Sequence, residues 1–263
     1  MAIFEAKNVT QRYDDVTIIE DINISVEKGE TVCLIGSSGV GKSTLFQVLS
    51  GLKKPVEGHV YMEGKEITGE AGKISYMLQK DMLFQFNTII DNVSLPYRIK
   101  PVRWKDTEGL PFNKRLEKKF LKRTEARKKV APYFKQFGLD GVEKKYPNQL
   151  SGGMRQRAAF MRTYFMDNPV MLLDEPFSAL DEITKTGMYS WFTNISKELN
   201  LTTLFISHSL DEAITLSDRI LVMSGKPGKI IKEIKINKNT EGDFSTSAEY
   251  MTYKKELKEL LNR

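Results

Sequence analysis

The chain is poor in cysteine: Cys33 is its only one among 263 residues, which excludes an internal disulfide and a thiolate metal cluster. Cys33 lies inside the apolar run Val32-Cys33-Leu34-Ile35, the setting of an inert buried thiol in a reducing, cytosolic compartment. Long hydrophobic runs are missing too. No stretch approaches the roughly 20 apolar residues that span a bilayer. The opening Met1-Ala2-Ile3-Phe4-Glu5-Ala6-Lys7 turns polar before a secretory segment could form. Any membrane role is therefore expected to come through a partner. Internal repeats and low-complexity stretches are absent as well. The net charge of +6 is not spread over the chain, because 13 Lys/Arg face four Asp/Glu between Arg98 and Lys129. The remainder is slightly acidic, so the basicity belongs to one segment and no nucleic-acid partner is expected.

What is present reads as an α/β pattern with a helical middle, in a chain long enough for one large domain or two modest ones. From Ile3 to Val26 short apolar and β-branched runs flank a turn at Tyr13-Asp14-Asp15, predicting two strands. Glu30 to Ile35 predicts a buried strand, Lys42 to Leu49 a helix stopped at Gly51, and Gly58 to Gly64 part of a surface hairpin. From about Pro96 to Gln149 the sequence turns charged and helical. Arg115 to Phe137 suits one or two amphipathic helices, and Pro101 to Pro111 an exposed loop. Strands are then expected at Val170 to Leu173, Thr202 to Ile206, Ile220 to Met223 and Ile230-Ile231, with helices from about Met154, before Leu199, and from Glu249 to Leu261. The resulting division is a core with its β subdomain over 1–95 and 160–240, a helical insertion over 96–159 and a helical tail over 241–263.

Between the third strand and the first helix stands Gly36-Ser37-Ser38-Gly39-Val40-Gly41-Lys42-Ser43, followed by Thr44. The glycines let successive backbone N–H groups turn inward around phosphate oxygens. Lys42 can reach the β- and γ-phosphates, the Ser43 hydroxyl can coordinate magnesium, and the helix presents its positive end to the same anions. The apolar strand Val170-Met171-Leu172-Leu173 ends in Asp174-Glu175. Asp174 is placed to bind Mg2+ and Glu175 to polarise an attacking water. These two elements predict binding and hydrolysis of ATP. A second turn of small residues, Leu150-Ser151-Gly152-Gly153 before Met154-Arg155-Gln156-Arg157, makes another anion-binding helix start. Two such loops far apart in one chain suggest a dimer.

With these motifs the sequence resembles the nucleotide-binding subunit of ABC transporters over nearly its whole length. The resemblance implies a P-loop NTPase fold with a RecA-like mixed core, an N-terminal antiparallel β subdomain and an inserted α-helical subdomain. It also implies a head-to-tail homodimer in which each ATP lies between the phosphate loop of one copy and Ser151, Gly152, Gly153 and Gln156 of the other. Ser178-Ala179-Leu180-Asp181 then matches the D-loop at the dimer seam. His208 matches the switch histidine that holds the γ-phosphate and attacking water, and Gln79 the Q-loop glutamine that reaches Mg2+ and moves with a membrane permease. Tyr13 matches the aromatic that stacks on adenine, a role that suits a flat ring. His59 matches no functional position.

Within the family, Met154-Arg155-Gln156-Arg157, Glu175-Pro176-Phe177-Ser178 and Ser224-Gly225-Lys226-Pro227-Gly228-Lys229-Ile230 resemble the importer branch serving nitrate, sulfonates, taurine and thiamine-related pyrimidines. Such a subunit is expected at the cytoplasmic face of the membrane, held there by its permease, with an extracytoplasmic binding protein in the full system. A chain ending near Arg263 leaves no room for the long regulatory extension of sugar and polyamine importers. Two positions depart from the branch: Gln85-Phe86 stands where Pro-Trp is usual, and Ser209 where Asp is usual after the switch histidine. The basic segment from Arg98 to Lys122 is longer than the branch implies, and suits a solvated helical face better than acidic lipid. An exporter or lipoprotein-release ATPase, or a soluble ABC ATPase acting on nucleic acid or ribosomes, are the alternative readings.

Overall fold

A computed structural model describes residues 2–99, 122–238 and 244–262, so the loop expected at Pro101 to Pro111 lies outside the described residues. The chain divides into two units, Met1–Gln79 with Asn168–Arg263, and Lys80–Asp167.

The first unit opens with β1 (Ala2–Tyr13) and β2 (Val16–Glu27), paired antiparallel around Asp14-Asp15. Along β2 the residues Ile22, Ile24 and Val26 are buried while Asn23, Ser25 and Glu27 are exposed, the period-2 signature of a sheet with one wet face. β1 also pairs with β4 (Glu57–Met62), which carries the two-residue β5 (Lys65–Glu66), giving the sheet order β2-β1-β4-β5. The second sheet contains β3 (Thr31–Gly36), β6 (Ser75–Met77), β7 (Met171–Asp174), β8 (Thr203–Ile206), β9 (Arg219–Ser224) and β10 (Lys229–Lys235) in the order β10-β9-β3-β8-β7-β6. Every pairing from β9 to β6 is parallel, and only β10 runs against its neighbour. β3, β7 and β8 are buried at every position, as expected of parallel strands covered on both faces.

Helix α1 (Lys42–Leu49) touches β1, β2, β3 and β7. Its Leu45, Phe46 and Leu49 join Phe4, Ile22 and Val60 of the first sheet and Leu34, Leu172, Leu204 and Leu221 of the second in one apolar core. Each such side chain contributes about 1.5–3 kcal/mol relative to exposure. Helices α6 (Glu182–Glu198), α7 (Leu210–Leu216) and α8 (Ala248–Leu261) complete the unit, and α8 packs on α7 and β9.

The second unit comprises α2 (Ile89–Val93), α3 (Leu95–Ile99), the described helix α4 (122–130) and α5 (Gly152–Tyr164), with short 3-10 turns between. It is wider than the 96–159 expected from composition. The strand β6 and the helices α2 and α3 were not legible in the sequence, because strand pieces of three residues and helices of five leave no period to read. Its core is aromatic: Phe137 lies 6.3 Å from Phe160, and Tyr133 meets Phe165 edge-on at 5.2 Å. Beside it Asp91 is fully buried. Its carboxylate accepts from Thr88 Oγ1 at 2.8 Å and from Nε and Nη2 of Arg127 at 2.9 and 2.6 Å, and it is also paired with Arg123. One acid thereby fastens α4 to α2.

Candidate active site

Because β3, β8, β7 and β6 are parallel neighbours, the loops leaving their C-terminal ends emerge on one edge of the sheet, the edge where open α/β sheets hold ligands. Those loops carry the phosphate loop after β3, His208 after β8, Asp174-Glu175 at the end of β7, and Gln79 just beyond β6. Residues up to 172 positions apart are gathered by topology alone.

Gly36 closes β3, while Ser37, Ser38, Gly39 and Ser43 are exposed along the loop and Thr44 is half-buried. Gly41 has φ 107°, and a Cβ there would stand 2.5 Å from Ile19 Cγ2, so neither backbone conformation nor space admits a side chain. Lys42 is 6% exposed and curls back over the loop, its Nζ donating to the carbonyls of Gly36 at 2.8 Å and Ser37 at 2.9 Å. Burial pulls its pKa down, and the charges of Glu175 and Asp174 act against that pull. A glycine that the sequence left as a family signature supports the loop from below. Gly228 donates to Ile18 O at 2.8 Å, and a Cβ on it would meet the Val40 carbonyl at 2.1 Å.

Asp174 is 8% exposed, and its pKa is raised mainly by burial. The Tyr76 hydroxyl, 3.2 Å from Oδ2, opposes the shift, and the neighbouring Glu175 charge adds to it. Tyr76 is a site residue that the sequence did not point to, since only the pairing of β6 with β7 sets it beside the acid. Glu175 adopts the left-handed region, φ 48°, which costs a non-glycine residue about 1–3 kcal/mol. Its carboxylate is gripped from two sides: Gln79 Nε2 donates to Oε2 at 2.7 Å, and His208 Nε2 lies 2.5 Å from Oε1. Ser178 Oγ donates to the Glu175 carbonyl at 3.0 Å, and Asp181 caps α6 by accepting from Thr184 N at 3.0 Å.

Tyr13 ends β1, and Lys53 sits over its ring at 4.1 Å while donating to its hydroxyl at 2.5 Å. The ammonium occupies one face of the ring. Ser209, where Asp is usual, accepts from Glu212 N at 3.3 Å and so caps α7 as an aspartate would.

In the second unit Ser151 caps α5, accepting from Met154 N at 3.3 Å, and is exposed. Gly152 is half-exposed and Gly153 buried. Gln156 was expected to face a nucleotide but is 5% exposed. It stands about one turn beyond Gly152 on the same helix and is buried within the unit. The stretch after Gln79 is held to the same helix, with Arg162 donating to the carbonyls of Asp81 and Met82 at 2.6 and 2.7 Å. Met82, Phe84 and Phe86 leave apolar surface exposed there, Phe86 at 96%.

A phosphate loop, a strand-end acid pair and a histidine on one sheet edge define a P-loop ATPase. The profile of the ABC transporter family matches residues 19–178. The chain is 37% identical over 229 residues to an aliphatic sulfonates import ATP-binding protein of Bacillus cereus, covering 87% of this chain and 82% of that one. It is 35% identical over 241 residues to a formylaminopyrimidine import ATP-binding protein of Halalkalibacterium halodurans, covering 92% and 87%. Among solved structures it is similar to a dimeric ATP-binding cassette in a post-hydrolysis state bound to ADP and Pi, with TM-score 0.67 and 27% identity over 89% of this chain and 99% of that one. The chain belongs to the ABC transporter family as an ATP-binding subunit, and its activity is ATP hydrolysis.

Proposed function

We propose that this subunit powers the import of a small solute, a sulfonate, nitrate, taurine or pyrimidine-like compound, through a membrane permease. The solute class is supported by the two import relatives. No helix among the described residues is long and apolar enough to cross a membrane, which suits a subunit held at the cytoplasmic face by other chains. The exposed Met82, Phe84 and Phe86 offer that permease an apolar contact beside the Q-loop. Solute selection then belongs to the permease and an external binding protein, and can be read by co-purifying the permease and screening ligands of its binding protein.

The observation that carries the hydrolytic reading is the Glu175 carboxylate held between Gln79 and His208. Two copies close head to tail over two ATP molecules. The phosphate loop, from Gly36 to Thr44, wraps the phosphates of one nucleotide, Tyr13 stacks on its base, and the partner copy brings its own Ser151, Gly152 and Gly153 with Gln156 in support. Lys42 exchanges its hold on the Gly36 and Ser37 carbonyls for the β- and γ-phosphates. Glu175 takes the proton of the attacking water, and His208 holds that water and the γ-phosphate in line. The oxygen donors Ser43, Gln79 and Asp174 fit Mg2+, which needs few protein ligands beside phosphate and water; the buried Asp174 carboxylate is the anion such a cation would offset. When bound, the ion neutralises charge on the β- and γ-phosphates. Replacing Glu175 by Gln should lower kcat roughly 100-fold or more while ATP binding persists and the closed dimer accumulates. A near-native rate would remove Glu175 as the base.

A further inference from the structure

Glu212, in the first turn of α7, is 4% exposed, and no step above uses it. A carboxylate buried this deeply is costly unless its oxygens are satisfied, and here both are. Oε2 accepts from Ser207 Oγ at 2.5 Å, Oε1 accepts from the Tyr189 hydroxyl at 2.9 Å, and Lys185 Nζ lies 3.7 Å from Oε1. The same Ser207 oxygen accepts from the Ser209 amide at 2.9 Å. Ser207 is 1% exposed. The residues on both sides of His208 are therefore gripped by one buried cluster whose central anion is Glu212. Capping of α7 does not need this carboxylate, because Ser209 Oγ already accepts from the Glu212 amide at 3.3 Å. Tyr189 and Lys185 both belong to α6, the helix that Asp181 starts.

We infer that Glu212 is a positioning residue for hydrolysis. Through Ser207 it sets the height of the peptide that carries His208, so that the imidazole meets Glu175, and through Tyr189 and Lys185 it links that height to α6. A displacement of α6 at its Asp181 end then moves Ser207 by way of Glu212, which makes the histidine responsive to what Asp181 touches. Misplacing a catalytic group by about 1 Å can cost up to roughly 100-fold in rate. The inference rests on the role given above to His208.

The test uses steady-state hydrolysis and fluorescent-ATP binding by the full chain, in Glu212→Gln, Ser207→Ala and His208→Ala and in the double variants with His208→Ala. Glu212→Gln and Ser207→Ala should each lower kcat about tenfold with KM and nucleotide Kd within about twofold, the split expected when only transition-state positioning is lost. Neither change should slow His208→Ala further, because residues acting through one another are not additive. Native rates in both single variants, or losses that multiply with His208→Ala, would overturn the inference and leave the role of His208 standing. A native rate for His208→Ala itself would instead remove that role, and the inference with it. Should Glu212→Gln fail to fold, Ser207→Ala, which deletes one buried oxygen, decides alone. Tyr189→Phe is expected to lower kcat about threefold, also only when His208 is present; a native rate there would remove α6 from the linkage.

Discussion

Single residues in this protein do two jobs, and the second is set by contacts. Tyr13 presents a ring whose one face is covered by Lys53, which also holds its hydroxyl. In the proposed site adenine takes the other face. Since stacking needs the ring and not the hydroxyl, Tyr13→Phe should bind ATP as the native chain does. Tyr13→Ala should weaken binding about three- to tenfold, the equivalent of roughly 1 kcal/mol of aromatic contact. Titration with a fluorescent ATP analogue reads both variants, and equal losses would place the hydroxyl, not the ring, at the nucleotide. Glu175 was legible as the acid after an apolar strand. That it stands at φ 48° between Gln79 and His208 was not, because those partners come from two other strands.

Elements are fixed by their ends and by a few buried charges. Ser151, Asp181, Ser209 and Ser247 each cap a helix with a side-chain oxygen; the start at Ser151 was legible as small residues before a helix, whereas α7, seven residues long, was not expected from the sequence. The attachment of α4 to α2 could not be read, since Asp91 and Arg123 lie 32 residues apart. Burial pushes the Asp91 pKa up, yet the hydrogen bonds from Arg123, Arg127 and Thr88 outweigh it and hold the carboxyl well below the usual range. A depressed folded pKa stabilises fully above the unfolded value of about 3.9, and that stabilisation is lost progressively as pH falls from there toward the folded value. Asp91→Ala, which leaves the arginines facing one another, should cost about 2–4 kcal/mol after discounting for their partial exposure. Urea unfolding from pH 7 down to pH about 3 should show that gap constant to about pH 5 and narrowing below it. A gap that stays constant down to pH about 3 would mean that Asp91 titrates with the same pKa folded and unfolded.

At the scale of the whole molecule, the phosphate loop and the Ser151 turn belong to different units of one chain, and the proposed site is finished by a second copy. Ile183, two residues past Asp181, is 89% exposed, an apolar side chain in water beside the expected seam. Ile183→Asp in a Glu175→Gln background should lower the ATP-dependent dimer fraction about tenfold, the effect of roughly 1.4 kcal/mol, with monomer affinity for nucleotide retained. Light scattering after size-exclusion chromatography with ATP and Mg2+ measures it. A full dimer fraction would place Ile183 outside the seam.

The sequence by itself determined the chemistry on offer: a glycine loop ending in Lys42-Ser43, an acid pair after a buried strand, a capped turn at Ser151 and a histidine after another strand. Each is local, written in residues a few positions apart and in the alternation of apolar and turn-forming types. Only the tertiary structure decided which of them meet. The parallel order β3-β8-β7-β6 brings Gln79, Glu175 and His208 into contact and sets Tyr76 against Asp174, and packing within the units buries Gln156 and gives Glu212 its partners on α6. The physical reason is that strand order and side-chain burial follow from packing one core between distant segments, and that competition among contacts leaves no mark within a short window of sequence.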